Sequence, residues 1–257
     1  MRDGLKSHGV DVQFAAWNVP TPADLVVIWG WKQRPVINAA QKRGTPILVM
    51  ERGHLPPRME WTSCGLNGLG NRGTYAKCED GGVRWRHHFG HLEQPWTDRG
   101  GYVLICGQVI GDAALWGCDF RKWAQGIADN ARAGGRDVVY RPHPFALHKQ
   151  RDTWWPKGAR FSTAATLDED LAGAALAVTY NSTAGVETVL AGVPTVTFDE
   201  GAMAWAVTTH NLDEEPARPD RNQWMHSLAW TSWRPAEIFG GTAWEHLRRA
   251  IECAATA

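Results

Sequence analysis

The run from Leu176 to Val196, Leu-Ala-Val-Thr-Tyr-Asn-Ser-Thr-Ala-Gly-Val-Glu-Thr-Val-Leu-Ala-Gly-Val-Pro-Thr-Val, leaves few folds open to the chain that contains it. Leu176 to Tyr180 is a short apolar run suited to a buried parallel strand, and Asn181, Ser182 and Thr183 are residue types that cap a helix N-terminus. The helix they open stops at Gly192, with Pro194 beyond it and a second strand following. Strand, small-residue turn, helix and strand make one unit of an α/β sheet. In such a sheet ligands bind beyond the C-terminal strand ends, where helix N-termini present unpaired N–H groups and positive dipole ends to an anion. Gly185 removes a side chain from the first turn, which predicts close approach of a ligand to the backbone. Thr183 and Glu187, four apart, share a helix face. Ser182 and Thr183 are thus placed to donate to phosphate, and Glu187 to accept from ribose hydroxyls.

Two further strands point at the same edge. Asp137 to Tyr140 ends in Arg141-Pro142-His143-Pro144, which delivers a guanidinium and an imidazole on an extended loop. About forty residues separate His143 from Ser182, room for one crossover whose helix is predicted near Leu167 to Ala174, so the two strand ends are expected to be neighbours. Upstream, Gly101 to Cys106 runs into a glycine-punctuated turn, Gly107-Gln108-Val109-Ile110-Gly111, whose amides, with Gln108, suit a diphosphate or a base.

Arg141-Pro142-His143-Pro144 and Asn181 to Glu187 resemble the donor-binding domain of GT-B glycosyltransferases, more narrowly the group that includes capsular-polysaccharide (Kdo-type) transferases. Over the whole chain, Glu51-Arg52-Gly53-His54, Gly65 to Gly70 and Arg221 to Met225 resemble small phage-encoded glycosyltransferases. The resemblance implies an α/β protein of two Rossmann-like domains, the N-terminal one pared down. Residues 1–98 would be the acceptor side, 99–210 the donor-binding domain, and 211–257 helices packing back across the domain interface. It implies a nucleotide-sugar donor, UDP-linked by preference, held by Gln108, Arg141, His143, Asn181, Ser182, Thr183, Gly185 and Glu187, with no metal required. The phage likeness implies a hydroxymethylated pyrimidine in DNA as acceptor, flipped into the site; a saccharide or surface polysaccharide is the alternative. A sugar-nucleotide epimerase is a further alternative, although that group carries acidic residues where this chain has Thr188 and Val189. A non-catalytic nucleotide-sugar or DNA-binding module is the last.

The N-terminal half supplies one βαβ unit: Ala23 to Gly30, a helix from Pro35 to Arg43 broken by Gly44, and Pro46 to Glu51. It is preceded by a helix-like Arg2 to His8 and an extended Asp11 to Trp17. A GT-B N-terminal domain begins with a strand, so that strand is either absent or lies upstream of Met1. Glu51 ends a central strand and, in a GT-B arrangement, faces the cleft; a partly desolvated carboxylate there suits deprotonation of an acceptor hydroxyl. His54 is the second candidate base, and Asp24, at the wrong strand end, a poor third. The glycine- and asparagine-rich Ser63 to Gly73 reads as a flexible acceptor loop.

Bulk properties set the remaining bounds. The 257 residues, 44% of them hydrophobic, suffice for two modest cores. No apolar run approaches a membrane span and no leader pattern opens the chain, which predicts a cytoplasmic protein. Five cysteines, Cys64, Cys78, Cys106, Cys118 and Cys253, are odd in number and widely spaced, which predicts free thiols. His87, His88 and His91, with Cys64 and Cys78, lack the spacing of a closed zinc site, and Trp85 to His91 reads as an interdomain linker. Asp168-Glu169-Asp170 reads as the acidic start of a helix. Fifteen tryptophans predict aromatic cores, with Trp224, Trp230, Trp233 and Trp244 on helices and a last helix from Thr242 to Ala254. Net charge is zero, yet residues 1–100 hold 13 Lys or Arg against 9 Asp or Glu, a mild excess that suits a phosphate-bearing acceptor.

Overall fold

A computed structural model describes residues 1–76, 79–98 and 100–255, with side chains to 249. In chain order the elements are α1 (Arg2–Lys6), β1 (Val26–Trp29), α2 (Arg34–Arg43), β2 (Ile47–Arg52), β3 (Thr62–Leu66), α3 (Val83–His88), β4 (Tyr102–Cys106), α4 (Phe120–Ala133), β5 (Val138–Arg141), α5 (Pro144–His148), β6 (Arg160–Phe161), α6 (Leu167–Leu171), β7 (Ala174–Thr179), α7 (Ala184–Leu190), β8 (Thr195–Thr197), α8 (Asn222–Ala229), β9 (Ser232–Trp233), α9 (Pro235–Phe239) and α10 (Thr242–Ala255). They form two compact units, Met1–Gly90 with Asn222–Ala257, and His91–Arg221. Where the sequence suggested divisions after residues 98 and 210, the chain changes unit after Gly90 and after Arg221.

The first unit carries a four-stranded sheet of order β1-β2-β3-β9. β1 and β2 are parallel and joined through α2, the βαβ unit expected from the sequence; Gly44 ends α2 with φ +69°, a conformation that favours glycine. Val36, Ile37 and Ala40 of α2 cover one sheet face with Ile28, Ile47 and Val49. Leu5, Ile238, Trp244 and Leu247 pack against Leu48, Cys64, Leu66 and Trp233 on the other. The C-terminal helix therefore closes this sheet, with Trp244 and Leu247 buried.

Two expectations fail in this unit. Ser63 to Leu66 is strand β3, antiparallel to β2, and not loop; only Asn67 to Gly73 turns, closed by a Leu66–Thr74 bridge. Its small residues are needed because the ring of Tyr75 lies over Gly65, where an added Cβ would meet it at 2.7 Å. The stretch read as a linker is helix α3, whose Arg84 and Trp85 are buried; the chain crosses to the second unit only after Gly90. The buried Arg84 guanidinium binds Glu237 through two bonds of 2.6 and 2.9 Å and donates to the carbonyls of Ala229 and Ser232, beside the rings of Trp230 and Trp233.

The second unit is an all-parallel five-stranded sheet of order β6-β5-β4-β7-β8. Phe120, Ala124, Ile127, Ala128 and Ala131 form one stripe of α4, capped by Asp119, and cover Val103, Ile105, Val138 and Val178. Leu171, Val193 and Ala184 cover Leu104, Val139 and Ala177 on the opposite face. The strands that end in Arg141 and Thr179 are not neighbours as expected: β4 lies between them, and the crossover helix α6 stops at Leu171. Cys64 and Cys106 are buried and Cys118 partly so, all three unpaired; Cys78 and the side chain of Cys253 lie outside the described residues. Among the described residues no helix is long and apolar enough to cross a membrane.

Candidate functional site

In the second unit the strand order reverses between β4 and β7, the place where a doubly wound sheet opens a crevice at its C-terminal edge. Gly107 follows β4 and donates to the Arg141 carbonyl at 2.7 Å. A Cβ there would meet the Tyr140 hydroxyl at 2.7 Å and the His143 amide at 3.0 Å, so only glycine lets the end of β5 fold over the end of β4. Arg141 and His143 are thereby drawn beside Gln108.

Gln108 and Asn181 bridge the crevice floor. The Gln108 amide donates to Asn181 Oδ1 at 2.9 Å and accepts from the Asn181 backbone at 3.2 Å. Asn181 Nδ2 donates to the Ala114 carbonyl at 2.7 Å and to Asp199 at 2.9 Å. These amides hold the ends of β4, β7 and β8 and the loop after β4 together. Asp199 was not singled out in the sequence, yet it follows β8 as Asn181 follows β7, and the same strand-end reasoning reaches it.

Ser182 performs the capping expected of it: its hydroxyl accepts from the Ala184 amide at 3.2 Å. Thr183 already has helical angles and makes no cap bond. Gly185 has a packing role that the sequence reading did not include. It is buried, and a Cβ on it would lie 3.2 Å from Thr179 Oγ1 and 3.7 Å from Thr197 and Ala204, so its lack of a side chain seats α7 on the sheet.

Arg141 is not an unengaged cation on the sheet edge. Its guanidinium donates to Asp170 at 2.6 Å and to the Ala164 carbonyl at 3.2 Å, and Ser162 also donates to Asp170. Asp170 thus neutralises the guanidinium in a pair that is mostly buried, while its neighbour Glu169 does the helix-start work by accepting from the Ala165 amide. His143 caps α5: its Nδ1 accepts from the Phe145 amide at 3.1 Å, which makes Nε2 the ring's donor. Burial pushes the Cys106 thiol up to about 12; Arg141 pulls it down and Glu187 and Asp170 push it further up, so these charges surround one strand end.

Comparison with known proteins fits this topology. No protein-family model and no curated protein matches the chain. Among solved structures, the Thermosulfurimonas dismutans KpsC beta Kdo 2,4 transferase is similar with a TM-score of 0.55 at 16% identity, over 80% of this chain and 78% of that one. The fold is of the GT-B type. The KpsC beta Kdo 2,7 transferase of the same organism gives 0.49 at 14% identity over 86% and 85%. The UDP-GlcNAc 2-epimerase of Methanocaldococcus jannaschii gives 0.31 at 12% over 89% and 75%.

The first unit of this GT-B fold has its own polar cluster. Glu51 on β2 and Ser63 on β3 are directly paired across the antiparallel ladder, so they share a sheet face. Both line a closely packed depression, too tight for a water molecule, with Val49, His54, Gly68, Leu69, Gly70 and Tyr75. His54 Nε2 lies 2.9 Å from Ser63 Oγ and 3.3 Å from the Tyr75 hydroxyl, which donates to the Gly70 carbonyl at 3.0 Å. Burial, reinforced by Arg58, pushes the imidazole down to about 3. His54 is thus held in its neutral form by burial. Its Nδ1 has no partner among the described residues, so the Ser63–His54 contact lacks the orienting carboxylate of a nucleophilic triad.

Proposed function

We propose that the chain is a nucleotide-sugar-dependent glycosyltransferase whose second unit binds the donor and whose first unit supplies Glu51 as the base. What supports this reading is the strand-order reversal between β4 and β7, where Gln108 and Asn181 are bonded to each other at the ends of those strands; in it His143, Ser182, Thr183 and Glu187 hold the donor. In this reading Glu51 takes the proton of an acceptor hydroxyl and the hydroxyl oxygen attacks the anomeric carbon. The bond from that carbon to phosphate breaks, and the nucleotide leaves as an anion received by His143 Nε2–H and the hydroxyls of Ser182 and Thr183. Glu187 accepts from the ribose. Arg141 sets the local shape and its charge is spent on Asp170.

The donor is a nucleotide sugar, UDP-linked by preference, and no metal is needed for the step; turnover in EDTA tests that. Buried Thr188 and Val189 leave no acidic pair at the positions an epimerase would use, which favours transfer. For the acceptor we propose a hydroxymethylated pyrimidine in DNA and a phage origin, on the positive excess of residues 1–100; a saccharide is the competing acceptor. The free thiols suit a cytoplasmic setting. The test is the Tm of wild type and Glu187→Ala across UDP, CMP, GDP, TDP and ADP sugars. A shift of several degrees with one nucleotide family, lost in the variant, is the expected result. No shift with any nucleotide overturns the reading. Transfer to hydroxymethylated but not to unmodified DNA would support the DNA acceptor, and efficient transfer to a saccharide alone would remove it.

A further inference from the structure

Residues 121 to 160 hold nine Lys or Arg against three Asp or Glu, in a chain whose net charge is zero. The rest of the chain is therefore negative, and this stretch gathers the positive charge in one place. The fold then lines it up. α4 starts at the C-terminal edge of the second sheet, and its Arg121, Gln125 and Arg132, spaced by four and seven residues, share one side of the helix over about 16 Å. The segment from Asp152 to Gly158, on its way back to β6, runs beside that side. Arg121 donates to Asp152 at 3.1 Å and lies over the Trp154 ring. Gln125 accepts from the Lys157 amide at 2.8 Å and donates to the Lys157 carbonyl at 3.2 Å. Farther along, a Cβ on Gly158 would run into the Arg132 guanidinium, so that guanidinium lies against the glycine. Arg121, Lys157 and Arg132 thus form a row down one flank of the sheet. Lys149 and Arg151 precede its first end in the chain, and Arg136 follows its last.

All of these cations except the half-buried Arg136 are exposed, and among the described residues Arg121 alone of them has a carboxylate partner, Asp152. The other acids of the stretch are Asp129, which accepts from Gln125 at 3.0 Å, and Asp137, which precedes β5. Trp155 stands beside Lys157 with 44% of its surface exposed. Its ring is edge-on to Phe161 at 5.2 Å and the next residue, Pro156, is buried, so an exposed ring is held in place. Unpaired Lys and Arg in a row match the phosphates of a linear polyanion, whose bound counterions they release, and a fixed aromatic ring gives a base a surface to stack on. A lipid surface would ask instead for a plane of apolar side chains. We propose that this flank is a docking surface for single-stranded nucleic acid: Lys149, Arg151, Lys157 and Arg132 take phosphates, Trp155 stacks on a base, and Arg121 anchors the segment through Asp152 and Trp154. The inference stands apart from the glycosyl-transfer reading and uses no residue assigned there to donor or acceptor.

The experiment measures fluorescence anisotropy of a labelled oligo(dT) of about 16 nucleotides with the full chain, from about 50 to about 200 mM salt. Four phosphate contacts predict a slope of log K against log salt of about −3, at about 0.7 per contact on a single strand. Arg132→Gln with Lys157→Gln should bring the slope near −1.5 and weaken binding about 10-fold or more at the lower salt. Lys42→Gln with Arg43→Gln, an equal charge change at exposed positions on α2, should leave binding within about 2-fold of wild type. Trp155→Ala should weaken binding roughly 5-fold or more with the slope unchanged. All three variants change surface positions, and each is compared at a Tm equal to that of wild type. Absence of binding at the lower salt overturns the surface, and so does an equal loss in the α2 variant, which would leave only net charge. Tighter binding to a duplex of the same length, insensitive to Trp155→Ala, overturns the single-strand assignment. Tighter binding to phosphatidylglycerol vesicles than to the oligonucleotide overturns the nucleic acid as partner.

Discussion

The two units treat the polar groups at their strand ends differently. In the second unit, strand-end side chains are bonded to one another: Gln108 with Asn181, Asn181 with Asp199, and Asp170 with both Arg141 and Ser162. These bonds engage the ends of four parallel strands, β5, β4, β7 and β8, so the shape of that edge is set by the sheet. In the first unit the cluster sits on one antiparallel pair, β2 and β3, and its buried His54 has one nitrogen without a partner. A parallel doubly wound sheet advertises its site by topology, because the reversal of strand order makes the crevice. A mixed sheet offers no such rule, and its site is recognised only by what its side chains do to each other.

The strongest way to break this comparison is to remove the cation that anchors each unit. Arg84→Met leaves Glu237 without its partner in a setting where the Arg84 side chain is nearly buried, and about 3–5 kcal/mol of stability should be lost. Amide hydrogen exchange should show the loss in β2, β3 and β9, with the β4 and β7 amides still protected. Arg141→Met should do the reverse by stranding Asp170. If both variants lower protection evenly through both sheets, the units do not unfold separately and the contrast between them is only descriptive.

A second test is specific to the first unit. His54 has a folded pKa depressed by burial to about 3, below its unfolded value of 6.5. The unfolded chain therefore binds a proton that the folded one refuses, so the stability this group contributes is present above pH 6.5 and is lost as pH falls toward 3. Between pH 6.5 and 4.5 the loss should approach roughly 2–3 kcal/mol, at about 1.4 kcal/mol per pH unit. His88 and His246 are shifted in the same direction, so the measurement is the difference between wild type and His54→Gln in urea unfolding across that window. Equal slopes would mean that His54 is solvated. In the second unit Gln108→Ala strands Asn181 Oδ1, should cost about 1–3 kcal/mol, and should weaken nucleotide-sugar binding measured by Tm shift. Binding at full strength after that change would show that the crevice floor is not needed.

The sequence made the second unit more legible than the first for the same physical reason. The turn after β7, Gly192 and Pro194 are local signals, and local signals suffice for a βαβ repeat. The position of β4 between β5 and β7 is not local: it follows from how three crossovers pack, and so was misplaced. Arg141 was read as an available cation because its partner Asp170 lies 29 residues away, inside a run that explains itself as a helix start. β3 was read as loop because Ser63, Cys64 and Gly65 carry no apolar alternation. Their burial comes from Tyr75 and from Trp233, a neighbour more than 150 residues along the chain. His54 was weighed by residue type alone, and its lack of basicity comes from burial that no nearby residue announces.

The smallest expected effect is also the sharpest on the difference between the units. Thr179 ends β7 at the strand-order reversal, is fully buried, and its hydroxyl has no hydrogen-bond partner among the described residues. With Trp123 Nε1 it is one of two such groups in the second unit among the described residues, and it lies against Gly185, whose missing side chain brings α7 down upon it. A buried hydroxyl with no partner costs free energy that a methyl of the same shape does not. Thr179→Val should therefore be neutral or raise stability by about 1 kcal/mol, a Tm gain of a few degrees at most. Ser63→Ala in the first unit should go the other way, because Ser63 lies 2.9 Å from His54 Nε2 and its loss leaves that nitrogen only the longer 3.3 Å contact with the Tyr75 hydroxyl. Opposite signs for these two hydroxyl deletions would confirm that polar groups in the two units are held by different logic. A destabilised Thr179→Val would instead place a hydrogen-bonding group under α7 and make the floor of the crevice part of the binding chemistry.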